Sequence, residues 1–329
     1  MHLRPTLYAC RMAVLAVCLP FLLAGAPAQE PRPRRLCVME WNVENLFDTA
    51  HDAGFHDEDF LPAGSHHWTG SRLWRKVNDI ARVVAVVADS AGTPDLIGLC
   101  EVENDSVLTL LTRRSAMRHL GYEYIVTHSA DARGIDVALL YQPVHFRLLS
   151  WHAIRVNSRS HGLPATRDLL YARGLAFTRT GIDTLHVFVA HLPSRSGGRA
   201  GDSNRRLAAQ TLWQAVDSVQ QLHARAHIVV MGDFNAGPRD RLFRHAPLRL
   251  TDAPHDAGTY CYRGVWQWLD HILVSESVGT PQPARSLRLP WLLEPGRTYG
   301  TDMPRRTYRG PAYHGGVSDH LPLTLTIEL

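Results

Sequence analysis

The sequence predicts an α/β fold in which more than one β-sheet is covered by helices. Ten short runs have the composition of β-strands, and two longer segments have the periodicity of amphipathic helices. Several strand runs are apolar throughout, as strands covered on both faces are. Ten strands are more than one sheet usually holds, so two packed sheets flanked by helices are expected.

The predicted strands are spread over the chain from residue 36 onward. They are residues 36–42, 96–102, 122–127, 135–141, 146–156, 169–178, 184–190, 227–231, 269–274 and 321–327. Helices are predicted over residues 71–89 and 203–223, because apolar residues recur on one face of each. These core-facing stripes are Leu73, Val77, Ile80, Val84 and Val87, and Ala208, Leu212, Ala215, Val219 and Leu222. Residues 281–316, rich in Pro, Gly and Arg, are expected to be a long ordered loop region.

The composition is that of a globular protein, with 45% hydrophobic and 20% charged residues. These values exclude a disordered tail, a coiled coil and a collagen-like fibre. The formal charge of +4 is too small for nucleic-acid binding through bulk charge, so any phosphate recognition has to be local. Of the 35 basic residues only Lys76 is a lysine, and the arginine codons of a GC-rich genome are the simplest explanation.

Residues 1–28 are predicted to be a secretory signal peptide that is cleaved after Ala28. Two arginines precede the apolar run 12–26, which ends at Ala-Pro-Ala, a pattern that signal peptidase accepts. A membrane anchor is one alternative, but about 15 apolar residues interrupted by Pro20 are fewer than the roughly 20 that a spanning helix needs. A lipoprotein acylated at Cys18 is another, disfavoured by the bulky residue before that cysteine. Export to the periplasm or the medium is therefore expected.

The chain beyond the signal peptide is predicted to hold one domain, residues 36–329, after a Pro/Arg-rich mature N-terminus, residues 29–35. Its cysteines, Cys37, Cys100 and Cys261, have the spacing of neither a disulfide framework nor a metal site. Burial is therefore expected to hold the core together. We expect a monomer without stable membrane insertion.

Polar residues that suit catalysis follow the ends of several predicted strands. They are Asn42, Glu101, His191, Asp233, Asn235, Asp270, Asp319 and His320. At a strand end a rigid scaffold passes the chain to a loop, so such groups can converge without disrupting the core. Each fragment alone is commonly structural, as when a Gly-Asp-Phe-Asn sequence forms a turn. Their joint occurrence in this order is what indicates a site.

The chemistry of these residues favours a hard divalent cation. Glu101, Asp319 and the amide of Asn42 offer oxygen ligands that suit Mg²⁺ or Mn²⁺, whereas a thiolate zinc site is not supported. Asp233 and Asn235 are separated by one residue at a strand end and are expected to point to the same side. In that arrangement the acid orients or deprotonates a water, and the amide holds a phosphate oxygen.

Five segments resemble the endonuclease/exonuclease/phosphatase superfamily, especially its secreted bacterial branch. They are residues 41–48, 99–104, 133–138, 232–235 and 315–320, and they extend over nearly all of the chain after the signal peptide. The resemblance implies a DNase I-like four-layered α/β sandwich, with two mixed sheets face to face, helices outside and an active site at one edge of both sheets. Two positions depart from it: Cys100 stands where many relatives have Gln, and Leu192 where the secreted branch often has Trp.

The resemblance also implies roles for the metal-binding residues. Glu101 resembles the principal ligand, with Asn42 and Asp319 nearby in the metal and phosphate site. The cofactor implied is Mg²⁺, with Mn²⁺ as an alternative.

Five further residues take catalytic roles by the same resemblance. Asp233 resembles the water-activating acid, Asn235 the phosphate-binding amide and His191 a histidine that contacts the scissile phosphate. His320, oriented by Asp270, resembles the imidazole that stabilises the transition state or acts as base. Whether Asp233 or His320 takes the proton stays open. The implied chemistry is metal-assisted in-line attack of water on a phosphoester.

Two arginine-rich segments, residues 193–206 and 297–314, are candidates for substrate contact. The side chains selected from them are Arg195, Arg205, Arg305, Arg306 and Tyr308. Arginines with aromatic residues suit nucleic acid, through phosphate pairing and base stacking. The alternatives are a polar helix start in the first segment and an ordered loop packed by its own tyrosines in the second.

The sequence thus predicts an exported, Mg²⁺-dependent phosphodiesterase, a nuclease acting on DNA or RNA. The alternative is a phosphatase, or a hydrolase of the phospholipase C and sphingomyelinase type, acting on a small phosphoester or a phospholipid. No hydrophobic hairpin rich in Trp and Phe is visible for docking on a bilayer, which disfavours the lipid. A non-catalytic binding protein would predict erosion of the site, whereas the matched polar positions are all present.

Overall fold

Two β-sheets of six strands each form the centre of the molecule. A computed structural model describes residues 35–178, 181–252 and 258–329, with the backbone but not the side chains of residues 90 and 91, and the predicted signal peptide lies outside these ranges. In chain order the strands are β1 (Leu36–Leu46), β2 (Leu96–Val102), β3 (Glu123–Val126), β4 (Asp136–Tyr141), β5 (Phe146–Ile154), β6 (Leu169–Phe177), β7 (Ile182–His191), β8 (His227–Asp233), β9 (Arg249–Leu250), β10 (Tyr260–Tyr262), β11 (Val265–Gln267), β12 (Asp270–Val274), β13 (Arg285–Ser286), β14 (Leu293–Gly296), β15 (Thr301–Pro304), β16 (Tyr308–Arg309), β17 (Ala312–Tyr313) and β18 (Leu323–Ile327). The helices are α1 (Gly70–Ala91), α2 (Asp105–Thr109), which continues into a π-helical turn at Leu110–Arg114, and α3 (Gly198–Leu222).

Both six-stranded sheets follow the same plan. The first has the order β13-β18-β1-β2-β4-β3 and the second the order β5-β6-β7-β8-β12-β9. At the centre of each, one pair of strands is parallel, β1 with β2 and β7 with β8, and the neighbours on either side are antiparallel. A long helix lies between the members of each parallel pair along the chain, as a crossover connection requires.

The sheets pack face to face, and each carries one long helix on its outer face. The core between the sheets includes Val38, Leu96, Leu139, Val187, Val229, Met231 and Ile272. Close approach of the sheets depends on Gly98 in β2, because a Cβ there would lie 2.6 Å from the Met231 sulfur. Outside this core, α1 packs on the first sheet and α3 on the second. The predicted α/β sandwich of four layers is confirmed.

All ten predicted strands are present, and the two helices are longer than predicted. The second helix, α3, begins at Gly198 rather than at residue 203, because its first turn is small and polar and carries no apolar stripe. Its last predicted core residue, Leu222, is 78% exposed. The buried face of α3 is instead centred on Ala209, Leu212 and Val216.

Residues 281–316 are not the long loop that was expected. They contain β13 to β17, and β14 pairs with β15 and β16 with β17 as two-stranded ribbons. Pro295 and Pro304 lie within these ribbons, where a strand has one unpaired edge and a missing N–H is tolerated. A short ribbon that contains proline and glycine therefore has a composition like that of a loop.

The three cysteines of the described residues are buried and free. In the described ranges, no helix has both the length and the apolar character needed to cross a bilayer. Apolar burial accounts for the cohesion of the domain.

Candidate active site

A cleft of about 960 Å³ opens at the carboxyl ends of the four parallel strands. Its lining includes seven of the eight predicted catalytic and metal-binding residues, all except Asp270. The first sheet contributes Asn42 and Glu101, and the second contributes His191 and Asp233. Residues that are far apart along the chain therefore meet at one edge of both sheets.

The ends of β1 and β2 are irregular, and this irregularity directs Glu101 into the cleft. The register of β1 shifts after Asn42, and the register of β2 shifts on either side of Glu101, which has φ of 63°. Such a bulge re-aims a side chain relative to regular pairing. The Glu101 side chain is 14% exposed, and its Oε2 accepts the Asn45 N–H at 2.9 Å. Its other oxygen, Oε1, faces the second sheet.

His191 lies between the carboxylates of the two sheets. Its Nε2 is 3.9 Å from Glu101 Oε1 and 3.6 Å from Asp233 Oδ2. Its Nδ1 is buried and has no hydrogen-bond partner among the described residues. Burial lowers the pKa of His191 well below its ordinary value, and the charges of Arg167 and Arg133 lower it further. The imidazole is therefore neutral at neutral pH.

Asp233 is buried at the end of β8 and is held by N–H donors. Its Oδ1 accepts the Asn235 backbone N–H at 2.8 Å, and its Oδ2 accepts side-chain N–H groups of Asn42 at 3.1 Å and Asn235 at 3.3 Å. Burial, followed by the charge of Asp270, raises the pKa of Asp233 to about 7. A carboxyl with such a pKa is suited to accept a proton near neutral pH.

Asn235 lies beside Asp233 because of a turn and not because of strand alternation. β8 ends at Asp233, and Asn235 adopts φ of 50° beyond it, with its side-chain N–H also donating to the Leu192 carbonyl at 3.0 Å. Gly232 precedes the pair with φ of 148°, and a Cβ there would lie 1.8 Å from the Ala190 carbonyl oxygen. The glycine is therefore required for β7 and β8 to approach each other at the site.

His320 and Asp270 form the predicted imidazole–carboxylate pair. His320 Nδ1 is 2.7 Å from Asp270 Oδ2, which also accepts the Thr259 hydroxyl. On the opposite side, His320 Nε2 is 3.9 Å from Asp233 Oδ2. Burial by itself lowers the pKa of His320, but the carboxylates of Asp270 and Asp233 outweigh it and raise the pKa well above its ordinary value. The group is an imidazolium, and hence a donor, at neutral pH.

Asp319 is joined to the first sheet through Arg306. The guanidinium donates to Asp319 Oδ2 at 2.7 Å, and its Nε is 3.5 Å from Glu44 Oε1. Below them Lys76, the single lysine of the chain, is 2% exposed and donates to the carbonyl oxygens of Glu44 and, at 3.0 Å, of Val317. This buried ammonium ties the end of β1 to the segment that carries Asp319.

One buried acid near the site was not singled out from the sequence. Glu40 in β1 is fully buried, and its Oε2 has no hydrogen-bond partner among the described residues. Burial, followed by the charges of Asp270 and Asp233, raises its pKa well above the ordinary value, which favours the protonated form. The Cys100 thiol lies 3.9 Å from Glu40 Oε1 and donates to the Ala190 carbonyl at 3.5 Å. The sequence feature that could have identified Glu40 is an acid inside an otherwise apolar strand.

Of the predicted substrate-binding residues, Arg195 and Arg306 line the cleft. Arg195 Nε donates to the Asn235 carbonyl at 2.8 Å. The structure does not bring Arg205 to the cleft. Its guanidinium is buried in α3 and donates to the Pro193 carbonyl at 3.0 Å, which places it behind the loop that follows β7.

Tyr308 and Arg305 also lie outside the cleft lining. Tyr308 is buried, its hydroxyl donates to the His66 carbonyl at 3.0 Å, and its ring packs edge-on against His66 and Tyr313. Arg305 is half-buried and donates to the His314 carbonyl at 3.4 Å. Residues 305–314 are thus packed by their own tyrosines, as the alternative for this segment holds, but they form the β16–β17 ribbon and not a loop.

Four other side chains of the cleft were not selected as substrate contacts. Arg167 is 7% exposed, and its guanidinium donates to Asp131 Oδ2 at 2.9 Å. Arg133, Tyr260 and Tyr262 also line the cleft. The motif at residues 133–138 contained Arg133, but the sequences around the other three carry no motif. Their position depends on which loops the two sheets bring together.

A buried acid, an imidazolium paired with a second acid, and a carboxylate open to the same cleft define a hydrolytic site of the kind suited to phosphoesters. The family-level comparison matches residues 37–329 to the Endonuclease/Exonuclease/phosphatase family. The chain belongs to this family, and the resemblance inferred from the motifs is confirmed. It is accordingly a metal-dependent phosphoester hydrolase.

Solved structures show the same fold at low sequence identity. An endonuclease/exonuclease/phosphatase family protein from Bacteroides thetaiotaomicron is 17% identical, with a TM-score of 0.58 over 90% of this chain and 98% of that chain. A mannosyl-6-phosphatase from the same organism is 17% identical, with a TM-score of 0.57 over 89% of this chain and 100% of that chain. Humanized D. rerio TDP2 is 16% identical, with a TM-score of 0.55 over 90% of this chain and 99% of that chain. Among curated proteins, none matches the sequence.

The residues present fit the divalent ion on which the family depends. Glu101 keeps Oε1 on the cleft side, and Asp319, 20% exposed, has only one of its oxygens bonded to Arg306. Both are hard oxygen donors that a divalent cation prefers. In the described ranges one compact set, Asp233, Asp270 and His320, has ligand atoms within 4.8 Å of one another. That set is less suitable, because the His320–Asp270 hydrogen bond already occupies two of its members.

Proposed function

We propose that this protein is an exported, Mg²⁺-dependent phosphodiesterase that cleaves nucleic acid. The observation that carries the proposal is the convergence of Glu101, Asp233 and His320 from three separate parts of the chain on one cleft. Each of the three has a different environment, so the groups are suited to different tasks in one reaction.

The ion would be held by Glu101 and Asp319, with the Asn42 amide beside them. When bound, Mg²⁺ supplies neutralisation of the negative charge that develops on the phosphoryl oxygens. The preference for Mg²⁺ or Mn²⁺ follows from the donor set, which is oxygen only.

The protein's own residues divide the remaining work. Asp233, with a pKa of about 7, orients the attacking water and accepts its proton. The imidazolium of His320, held by Asp270, donates a hydrogen bond to the phosphoryl group and stabilises its charge in the transition state. Neutral His191 and the Asn235 amide both lie close to Asp233 Oδ2 and position the phosphoryl oxygens. Asp233 is thereby assigned as the base, the role that the sequence left open.

Nucleic acid is the proposed substrate because arginines and tyrosines line the same cleft. Arg133 and Arg195, both exposed, are available to phosphates that flank the cut, and Tyr262 offers an aromatic surface. A phosphatase acting on a small phosphoester is the second candidate. It is favoured by the dimensions of the cleft, about 960 Å³, which suit a compact ligand.

Hydrolysis of a single-stranded oligonucleotide, of plasmid DNA and of hexose phosphates with Mg²⁺, Mn²⁺ or chelator would test the proposal. We expect chelator-sensitive cleavage of nucleic acid that is lost in Asp233→Asn and retained in the control Asp302→Asn, an exposed acid of β15. Release of phosphate from hexose phosphates without any cleavage of nucleic acid would instead support the second candidate.

Export is proposed from residues 1–28 alone. Fusion of these residues to alkaline phosphatase, which is active only outside the cytoplasm, is expected to give an active reporter. Replacement of the apolar run 12–26 by polar residues is expected to abolish that activity. A reporter that is inactive with the native segment would contradict the proposal.

A further inference from the structure

Residues 260–267 form a hairpin at the rim of the cleft, here called the rim hairpin. β10 and β11 pair with Tyr260 opposite Gln267 and Tyr262 opposite Val265. The two connecting residues, Arg263 and Gly264, both have positive φ, 50° and 78°, which is the geometry of a type I′ turn. A two-residue turn of this type matches the twist of the strands and leaves the hairpin little freedom.

The base of the rim hairpin is attached to the catalytic groups. Tyr260 forms a β-bridge with His320, and their ring centroids are 4.9 Å apart. Gln267 Oε1 accepts a hydrogen bond from Arg195 at 3.1 Å, which connects the hairpin to the segment that follows β7. The distance from the hairpin to the reacting phosphoryl group is therefore set by the fold.

The turn of the rim hairpin is held from the outside. A Cβ at Gly264 would lie 2.5 Å from Tyr299 Cβ, so the turn packs directly on the β14–β15 ribbon. The hairpin is thus supported on both of its sides. A side chain that it projects into the cleft has a defined position.

Tyr262 is an aromatic side chain of the rim hairpin that remains exposed. It lines the cleft and is still 51% exposed, whereas Tyr260 is covered by His320. The Arg263 guanidinium lies 5.2 Å from the Tyr262 ring centroid, and no carboxylate of the described residues forms an ion pair with it. An exposed aromatic ring with a cation over it provides a stacking surface and a phosphate contact close together.

We propose that Tyr262 stacks on a nucleobase attached next to the scissile phosphate, so that the rim hairpin selects substrates that carry a base. This inference rests on the proposed function and specifies the substrate class of that site. Base stacking on one aromatic ring contributes roughly a tenfold change in affinity. A sugar phosphate, which has no planar group, gains nothing from the ring.

Binding and turnover together test the inference. Calorimetry with a nucleoside 5′-monophosphate and with ribose 5-phosphate, both with Mg²⁺, measures the contribution of the base without any reaction. We expect wild type and Tyr262→Phe to bind the nucleotide about tenfold more tightly than the sugar phosphate. Tyr262→Ala is expected to lose that difference, and Trp151→Ala, an exposed aromatic of β5 outside the cleft, to keep it.

Kinetics on a dinucleotide and on the same diester with abasic sugars gives the second measurement. Tyr262→Ala is expected to raise KM about tenfold for the dinucleotide, with kcat little changed, and to leave the abasic diester unaffected. An equal effect on both ligands, or no effect on either, would overturn the inference. If wild type hydrolyses neither diester while the base-dependent binding is lost in Tyr262→Ala, the proposed function fails and the inference stands.

Discussion

The two parallel strand pairs of the molecule share one plan and end in different chemistry. In the first sheet β1 and β2 flank α1 along the chain, and in the second β7 and β8 flank α3. Each pair lies at the centre of its sheet and ends at the cleft. The first pair ends in Asn42 and Glu101, and the second in His191 and Asp233.

The difference lies in how regularly each pair ends. Register is unbroken between β7 and β8 up to the last pair, His191 with Asp233, and both side chains are buried. In β1 and β2 the register shifts, and Glu101 takes a positive φ and reaches the cleft. A regular end thus buries a carboxyl and raises its pKa, whereas an irregular end exposes one that can bind a cation.

Removal of the acid from each pair gives the largest expected effects and separates the two tasks. Asp233→Asn is expected to lower kcat by about 10²- to 10⁴-fold because the base is lost, with the affinity for Mg²⁺ or Mn²⁺ retained. Glu101→Gln is expected to lower activity to a similar extent and to weaken binding of the ion. Calorimetric titration with Mn²⁺ measures the second quantity. Loss of ion binding in Asp233→Asn alone would reverse the roles assigned to the two pairs.

The glycines that allow close packing in the two pairs are expected to differ in importance. Gly232→Ala places a Cβ 1.8 Å from a backbone carbonyl oxygen and requires φ of 148°, so a loss of about 3 kcal/mol in unfolding free energy is expected. Gly98→Ala clashes with the flexible Met231 side chain at 2.6 Å and contacts Val189 Cγ1 at 3.4 Å, and it is expected to lose about 1 kcal/mol. Urea denaturation measures both, and equal losses would contradict this account.

Each long helix also carries one buried cationic side chain. Lys76 of α1 donates to two carbonyl oxygens and to a hydroxyl, so Lys76→Met removes three buried hydrogen bonds and is expected to lose about 3 kcal/mol. Arg205 of α3 donates to one carbonyl oxygen and to the half-exposed Asp202, and Arg205→Met is expected to lose about 1 kcal/mol. The same denaturation experiment compares them, and a larger loss for Arg205→Met would break the comparison.

A pH-dependent effect is expected in the middle of β7. His186 is buried there, and burial, followed by the charges of His223 and Arg173, lowers its pKa to about 4. Between about pH 4 and the ordinary pKa of about 6.5 the unfolded chain binds a proton that the folded protein does not, so stability falls as pH falls through this window. His186→Gln is expected to reduce this fall by about 1 to 2 kcal/mol. Unfolding free energies at pH 7.5 and 5 test this, and an unchanged pH dependence would refute it.

Much of the fold was predictable from local pattern, and the failures have local causes. The ten strands and the stripe of α1 are encoded by apolar runs and their spacing, which survive in the structure. The ribbons between residues 293 and 313 were missed because short strands with Pro and Gly lack that pattern. Tyr308 was selected as a substrate contact because an aromatic residue between arginines looks the same whether it is packed or exposed.

The sequence by itself determined the scaffold and the chemical groups of the site, because hydrophobic periodicity and short polar motifs are local properties of the chain. The tertiary structure decided the environments of those groups. Burial made Asp233 a weak acid and His191 a neutral imidazole, and a register shift exposed Glu101. It also decided which loops border the cleft, and so brought in Arg167 and Tyr262. Desolvation and long-range packing depend on the whole fold, and no segment of the chain carries them alone.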